Sequence, residues 1–79
     1  MIKRMSRGDI QVQIGERTVT IEGEALAYSE GKTAFVIYKD SIQHWDAPNE
    51  GPIDELTKQE ILRDVISELE QKGVRVEVE

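Results

Sequence analysis

The chain contains no cysteine, and this absence removes several classes of function at once. Without a thiol it can form no disulfide framework, thiolate nucleophile, iron–sulfur cluster or cysteine-type zinc site. Small secreted domains commonly depend on disulfides, so a cysteine-free domain is more typical of the cytosol. The N-terminal residues are basic but lack the apolar segment and the small-residue cleavage site of a signal peptide. We therefore expect a cytoplasmic protein.

Long apolar runs are also missing, and aromatic residues make up only 5% of the sequence. No segment approaches the roughly 20 apolar residues of a membrane-spanning helix. The 79 residues, of which 38% are hydrophobic, predict one domain, residues 1–79, with a thin core. Such a core fills the space between a sheet and a helix but cannot enclose a drug-sized pocket. The composition therefore favours a function carried by the surface.

The charge of the chain is −6 overall and is unevenly distributed. Lys3, Arg4 and Arg7 lie in the first seven residues, and the other seven basic residues stand against sixteen acidic ones, a balance of −9. An acidic surface repels the phosphates of nucleic acids, whereas it attracts basic proteins and speeds their association. Solubility alone explains such a surface equally well. We expect no nucleic-acid partner, and a basic protein partner remains open.

The first half of the chain has the pattern of β-strands. Turns at residues 15–16 and 23–24 and a loop at residues 29–32 separate segments that alternate apolar and polar side chains or are rich in β-branched residues. The predicted strands are residues 10–14, 17–22, 26–28, 33–38 (the most hydrophobic run and a central strand) and 42–45 (a short strand or the end of the meander). Together they predict an antiparallel meander of four to five strands.

The second half predicts a helix followed by a strand. Thr57 and Glu60 have the spacing of a capping box, and Leu56 and Ile61 have that of a hydrophobic staple. An apolar stripe at helical spacing follows, formed by Ile61, Leu62, Val65, Ile66 and Leu69. Gly73 is expected to end the helix, and the alternating valines after it predict a last strand.

These elements predict an α+β fold, in which the helix of the C-terminal half packs on one face of the meander and a final strand joins the sheet. A helix between two strands permits a parallel pairing of that strand, and the strand order stays open. No element is predicted for residues 1–8, which are expected to form a disordered basic N-terminus.

No residue pattern predicts catalysis or a bound cofactor or metal. Ser41, His44 and Asp40 lie close in the chain, but proximity in sequence does not establish the geometry of a catalytic triad. The loop that begins at Asp46 resembles a calcium loop only superficially, because Pro48 and residue 57 occupy positions that require carboxylate ligands. Glycine-rich phosphate loops are absent from the sequence. We therefore expect a protein that is not an enzyme and has no cofactor.

Protein recognition is the remaining function, and the residues after the central strand are the candidates for it. Aromatic side chains ringed by carboxylates would form a contact site for a basic partner. If the segment is extended, His44 and Trp45 point to opposite faces, so that one packs and the other is exposed; a lone Trp in a small domain is most often a core residue. The candidate partner-binding residues are Tyr38, Asp40, His44, Trp45, Asp46 and Glu50.

Two segments carry a distinctive combination of residues, GERTVTIEGE at residues 15–24 and VIYKDSI at residues 36–42, the second followed by Trp45 and Pro48. In this combination the chain resembles small immunity proteins of bacterial polymorphic toxin systems. The resemblance extends over residues 9–79, since the helix and the closing VRVEV strand fit the same outline. The pattern Tyr-x-Asp-Ser-Ile followed by Trp and Pro carries most of its specificity, whereas the hairpin and the helix are generic.

The resemblance implies a cytoplasmic antitoxin that is encoded beside a toxin and blocks it by direct binding, and it implies no catalytic residues. The matching positions can serve either the fold or the toxin contact, and both readings stay open; they are Tyr38, Asp40, Ser41, Ile42 and Trp45. Combined with the acidic surface, the resemblance predicts a basic toxin domain as the partner. The alternative is a small regulatory or adaptor module, either a monomer or a homodimer that pairs through a sheet edge.

Overall fold

The computed structural model describes residues 1–27, 33–48 and 50–79. In these ranges a five-stranded sheet is covered on one face by a helix. The elements are β1 (Ile2–Met5), β2 (Asp9–Ile14), β3 (Arg17–Ala27), β4 (Thr33–Ile37), a 3-10 turn (Lys39–Ser41), α1 (Glu55–Gln71) and β5 (Arg75–Val78). The strands lie in chain order, antiparallel from β1 to β4, with β5 parallel to β4. The predicted α+β class is confirmed.

Strands β2 and β3 form the hairpin that the alternating pattern predicts. Gly15, with a φ of 62°, is the first of its two turn residues, a position at which a type II′ turn requires positive φ. The register places Ile10 opposite Ile21 and Val12 opposite Val19. These four side chains are buried, because they share the face that α1 covers.

The predicted turn at residues 23–24 is wrong, because β3 runs straight through it as one strand. Gly23 serves a close approach instead: a Cβ at this position would overlap the carbonyl oxygen of Val36 and the ring of Phe35. The glycine therefore lets β4 and its aromatic ring lie directly against β3. Residues 26–27 belong to this strand, whereas Tyr28 and the predicted loop at residues 29–32 lie outside the described residues.

Two further segments differ from the expectations. Residues 2–5 of the N-terminus form the edge strand β1, and the backbone N–H of Ile2 donates to the carboxylate of Glu68 on α1 at 3.3 Å. Residues 42–45 form no regular strand, since His44 makes only an isolated bridge with Pro52. The 3-10 turn before them breaks the strand and directs Ile42 into the core.

Helix α1 begins one turn earlier than the Thr57–Glu60 pattern predicts. The N-cap is Asp54, whose Oδ1 accepts the backbone N–H of Thr57 at 2.7 Å, so Thr57 already lies in the first turn. Leu56 is 72% exposed and forms no staple. At the other end Gly73, with a φ of 82°, ends the helix as predicted.

The start of the helix gives a first testable prediction. Asp54→Ala should lower the melting temperature by roughly 5 °C, because it removes the acceptor for an N-terminal N–H group. Hydrogen bonds from Thr57 hold the pKa of Asp54 below the usual 3.8, and the Thr57 side chain contributes more to this lowering than the Thr57 backbone does. The contribution of the carboxylate is therefore complete above pH 3.8 and is lost as the pH falls through the lowered pKa of the folded state.

Thermal melts followed by circular dichroism across the acid range test this prediction. Glu60→Ala is the control. The sequence pattern predicts Glu60 as part of a capping box, but within the described residues the cap is Asp54 and Glu60 caps nothing. The difference in stability between wild type and Asp54→Ala should close in acid. A difference that persists in strong acid, or a larger loss for Glu60→Ala, would contradict the assignment of the cap.

The predicted apolar stripe of α1 is confirmed as the cover of the sheet. Four of its members, Ile61, Leu62, Val65 and Leu69, are buried, and Ile66 is half-buried against the same cluster. The sheet contributes Ile10, Val12, Val19, Ile21, Phe35 and Ile37 to this core. No helix within the three described ranges has the length and hydropathy to span a membrane.

Candidate functional site

The loop after β4 lies along an edge of β3. Residues 18–22 of β3 extend past the end of β4, so their outward backbone groups need other partners. The loop supplies them at Glu22, whose carbonyl accepts the N–H of Tyr38 at 2.9 Å and whose N–H donates to the Ser41 hydroxyl at 2.9 Å. The same hydroxyl donates to the Tyr38 carbonyl at 2.7 Å. Ser41 thus fastens the turn to the strand.

A second set of bonds fixes the far end of the loop. The backbone N–H of Asp46 donates to the Thr18 carbonyl at 2.8 Å, and its Oδ2 accepts the Thr20 hydroxyl at 2.8 Å. The N–H of Trp45 donates to the Gly51 carbonyl at 2.9 Å. Asp46 therefore has a structural task in addition to its charge.

Two apolar side chains anchor the loop in the core. Ile42 and Trp45 are both buried, Trp45 with 7% of its surface exposed, and both belong to the main hydrophobic cluster. The exposed His44 lies between them in the loop on the solvent side, as the alternation predicts. The guanidinium of Arg17 lies 5.5 Å from the centre of the Trp45 ring, within cation–π range. Packing and hydrogen bonds thus hold the loop in place, and we call its segment from Tyr38 to Asp46 the platform.

The platform and the β3 edge border an open groove with a volume of about 770 Å³, which we call the acidic groove. All six candidate residues from the sequence line it, so the structure brings the whole set together. Among the described residues its lining comprises Thr20, Glu22, Tyr38, Asp40, Ser41, Gln43, His44, Trp45, Asp46, Ala47 and Glu50. Four of these residues are carboxylates and none is lysine or arginine. The groove therefore carries a concentrated negative charge.

Lys58, a cation beside the acidic groove, does little to neutralise this charge. Lys58 Nζ lies 3.7 Å from Asp40 Oδ1, but the Asp40 side chain is 88% exposed. An exposed pair of this kind contributes about 0–1 kcal/mol and is screened by salt. Lys58 also lies 4.0 Å from Glu55, so its charge is shared. The Asp40 carboxylate thus remains available to a cation from outside.

Tyr38 places an exposed aromatic side chain on the rim of the acidic groove. Its hydroxyl donates to Glu24 Oε2 at 3.3 Å, which holds the ring beside a further carboxylate. Partial burial, followed by the charge of Glu24, raises the pKa of the Tyr38 phenol above its usual 10.0. Tyr38 is therefore a neutral hydrogen-bonding aromatic group at physiological pH.

The comparison with known families decides the classification of the chain. The sequence profile of the family described as Immunity protein 74 matches residues 2–79. The chain belongs to the Immunity protein 74 family. No curated protein and no solved structure matches it. Immunity protein families are generally non-catalytic.

Ser41 and Asp40, two of the residues noted in the sequence, make other contacts in this immunity protein. The Ser41 hydroxyl is bonded to the backbone of residues 22 and 38, as described above. The Asp40 carboxylate pairs with Lys58, and the backbone carbonyl of Asp40 accepts the side-chain amide of Gln43 at 2.7 Å. Among the described residues, no group of three or more His, Asp and Glu side chains is placed to hold a metal ion.

Sequence reasoning missed part of the immunity protein's groove. Thr20 and Glu22 lie in a strand about twenty residues before the loop, and only the fold brings them to it. Their polar side chains alternate with the buried Val19 and Ile21, which marks an open face of the sheet but does not reveal its neighbour. Trp45 lines the groove but is only 7% exposed and acts mainly as a core anchor, so its share of a contact surface is small.

Proposed function

We propose that this member of the Immunity protein 74 family is a cytoplasmic antitoxin of a bacterial polymorphic toxin system, and that it neutralises a toxin domain by direct binding through the acidic groove. Family membership supports the immunity role. The observation that carries the proposed surface is the set of four carboxylates in one open groove, whose described lining residues include no lysine or arginine.

Electrostatics indicates the chemistry of the partner. Covering a carboxylate removes it from water, and this is unfavourable unless the partner supplies a charge-assisted hydrogen bond. A toxin surface with arginine or lysine side chains meets this requirement at Glu22, Asp40 and Glu50, whose side chains are exposed. The partner is therefore a basic surface, and opposite charges would also speed the encounter.

The architecture of the loop favours tight binding. Because Ile42 and Trp45 fix the platform in the core, the loop loses little conformational freedom when a partner covers it. Tyr38 and His44 add exposed aromatic side chains, a type that contributes strongly to protein interfaces. The acidic groove combines preorganised charge with aromatic contact area.

Co-expression with the toxin encoded beside this gene tests the proposal. Cells that produce the toxin alone should stop growing, and production of this chain should restore growth. The two purified proteins should form a complex that remains intact through size-exclusion chromatography. Restored growth without a stable complex would refute neutralisation by direct binding.

A further inference from the structure

Within the part of the chain that the structure describes, the outer edge of β5 carries backbone groups that no strand pairs. The N–H of Glu79 donates to the Ile37 carbonyl at 2.8 Å, and the Glu79 carbonyl accepts the N–H of Lys39 at 2.8 Å. Backbone groups alternate in direction along a strand, so the N–H and C=O groups of Glu77 and Arg75 also point toward β4. Those of Val76 and Val78 point outward, away from β4. Within the described ranges no strand pairs with this edge.

The two edges of the sheet differ in their protection. Strand β1, at the other edge, contains a register shift between Ile2 and Arg4 and carries Lys3 and Arg4 in succession. Bulges and charges of one sign are devices that prevent edge-to-edge pairing. Strand β5 is paired regularly with β4 and alternates a positive charge, Arg75, with a negative one, Glu77. The β5 edge is thus suited to pairing with a strand of complementary charge.

We propose that the occupant of this edge is β5 of a second copy, which pairs antiparallel about a two-fold axis at Val76. The outward N–H and C=O of Val76 then exchange two hydrogen bonds with Val76 of the second copy. The Val78 N–H of each copy donates to the Val74 carbonyl of the other. This pair exchanges one bond instead of two, because the Val74 N–H is already bonded to the Leu69 carbonyl of its own copy at 3.0 Å. Arg75 of each copy lies opposite Glu77 of the other.

The charge pattern selects this register over its neighbours. Moving the axis to Glu77 places two glutamates directly opposite each other, and moving it to Arg75 does the same with two arginines. Like charges in opposed positions destabilise a strand pair, whereas opposite charges stabilise it. The register centred on Val76 is the one that forms two Arg75–Glu77 pairs.

The helix side of the interface supports the same occupant. A groove of about 610 Å³ lies between α1 and β5, with Leu62, Ile66 and the exposed Val78 as its apolar lining. The axis is perpendicular to the sheet, so both helices lie on one face and the two grooves adjoin each other. Each of these grooves is also lined by Lys39, Arg63 and Glu70, whose charges of both signs suit a self-complementary contact.

Pairing through β5 leaves the proposed toxin-binding surface free. The acidic groove and the groove beside β5 have no described lining residue in common. A four-residue strand gives a small interface, so we expect a dimer with an affinity in the micromolar range. The dimer is independent of the proposed function, since its formation requires no toxin.

Sedimentation velocity at increasing concentration tests the inference. Wild type should shift from 9.0 kDa to twice that mass. Glu77→Arg and Arg75→Glu should each weaken self-association by roughly tenfold, because each replaces two attractive pairs with repulsive ones. An equimolar mixture of the two variants should associate at least as tightly as wild type, and so should the doubly reversed variant.

Circular dichroism of each variant serves as the folding control, and recovery in the mixture separates a lost interface from a damaged strand. A wild-type protein that stays monomeric at millimolar concentration would overturn the inference. Unchanged self-association of Glu77→Arg would also overturn it, because the dimer would then use another surface or register.

Discussion

Glu22→Lys combined with Glu50→Lys is expected to lower the affinity for the toxin by roughly hundredfold and to abolish protection of toxin-producing cells. Both side chains line the acidic groove, and both are exposed. The double reversal replaces two acceptors for cations of the toxin with two repulsive charges. Isothermal titration calorimetry with the purified toxin domain measures the effect.

These two positions are chosen because their side chains are separate from the bonds that hold the platform. The backbone of Glu22, which the substitution leaves in place, makes the contacts to Tyr38 and Ser41. Asp46 is the less suitable target, since its carboxylate accepts the Thr20 hydroxyl at 2.8 Å and a reversal would disturb the loop itself. The fluorescence of Trp45, which lines the groove and packs in the core, reports whether the platform remains folded.

The matched control is Glu16→Lys combined with Glu60→Lys. Both residues are exposed and outside the lining of the acidic groove, and this double reversal also changes the net charge by +4, from −6 to −2. If the toxin responds only to the overall charge, both variants lose affinity equally. If it binds in the groove, the control stays within a few-fold of wild type. Equal losses would refute the proposed surface but not the immunity role.

The dependence on salt provides a second readout of the same prediction. Wild-type association should slow as ionic strength rises, because salt screens the attraction between the groove and a basic partner. The groove variant should show a much weaker dependence, whereas the control should retain most of it. A toxin complex that forms at the same rate at all salt concentrations would contradict a charge-based contact.

The sequence predicts those parts of the fold that depend on local periodicity. The β2–β3 hairpin follows from alternation and from a glycine at the first turn position. The stripe of α1 follows from helical spacing, which selects the residues that are buried. In both cases the side chains that face the core are fixed by the geometry of one element, so no knowledge of its neighbours is needed.

The errors arise where two patterns compete or where a distant contact decides. Gly23 has the appearance of a turn, but its lack of a side chain serves the approach of Phe35 from another strand. Asp54 and Thr57 are both good caps, and the earlier one starts the helix. Residues 2–5 have no alternating pattern, and only pairing with β2 makes them a strand.

The candidate site shows the same division. Its six predicted residues come together because they lie within thirteen positions of one another on a single loop. Thr20 and Glu22 were missed because their place in the groove depends on β3 extending past β4, which is a property of the sheet register. The charge of the groove could therefore be predicted in part, whereas its shape could not.

Leu69→Asp is expected to unfold the domain at room temperature. Leu69 is 1% exposed and lies in the cluster between α1 and the sheet. Truncating a buried leucine costs about 2–5 kcal/mol, and burying a carboxylate in its place adds a further desolvation penalty. A domain of this length is typically stable by only roughly 4–12 kcal/mol. The substitution should therefore remove most or all of the free energy of unfolding.

Leu56→Asp is the matched control, because it makes the same chemical change on the same helix at a residue that is 72% exposed. Ser67→Asp, an exposed position in the last turns of α1, controls for a negative charge near the C-terminal end of the helix. Both controls should keep a urea midpoint close to that of wild type. A cooperative transition for Leu69→Asp at the wild-type midpoint would mean that the stripe of α1 does not face the sheet, and the platform anchored in the same core would lose its physical basis.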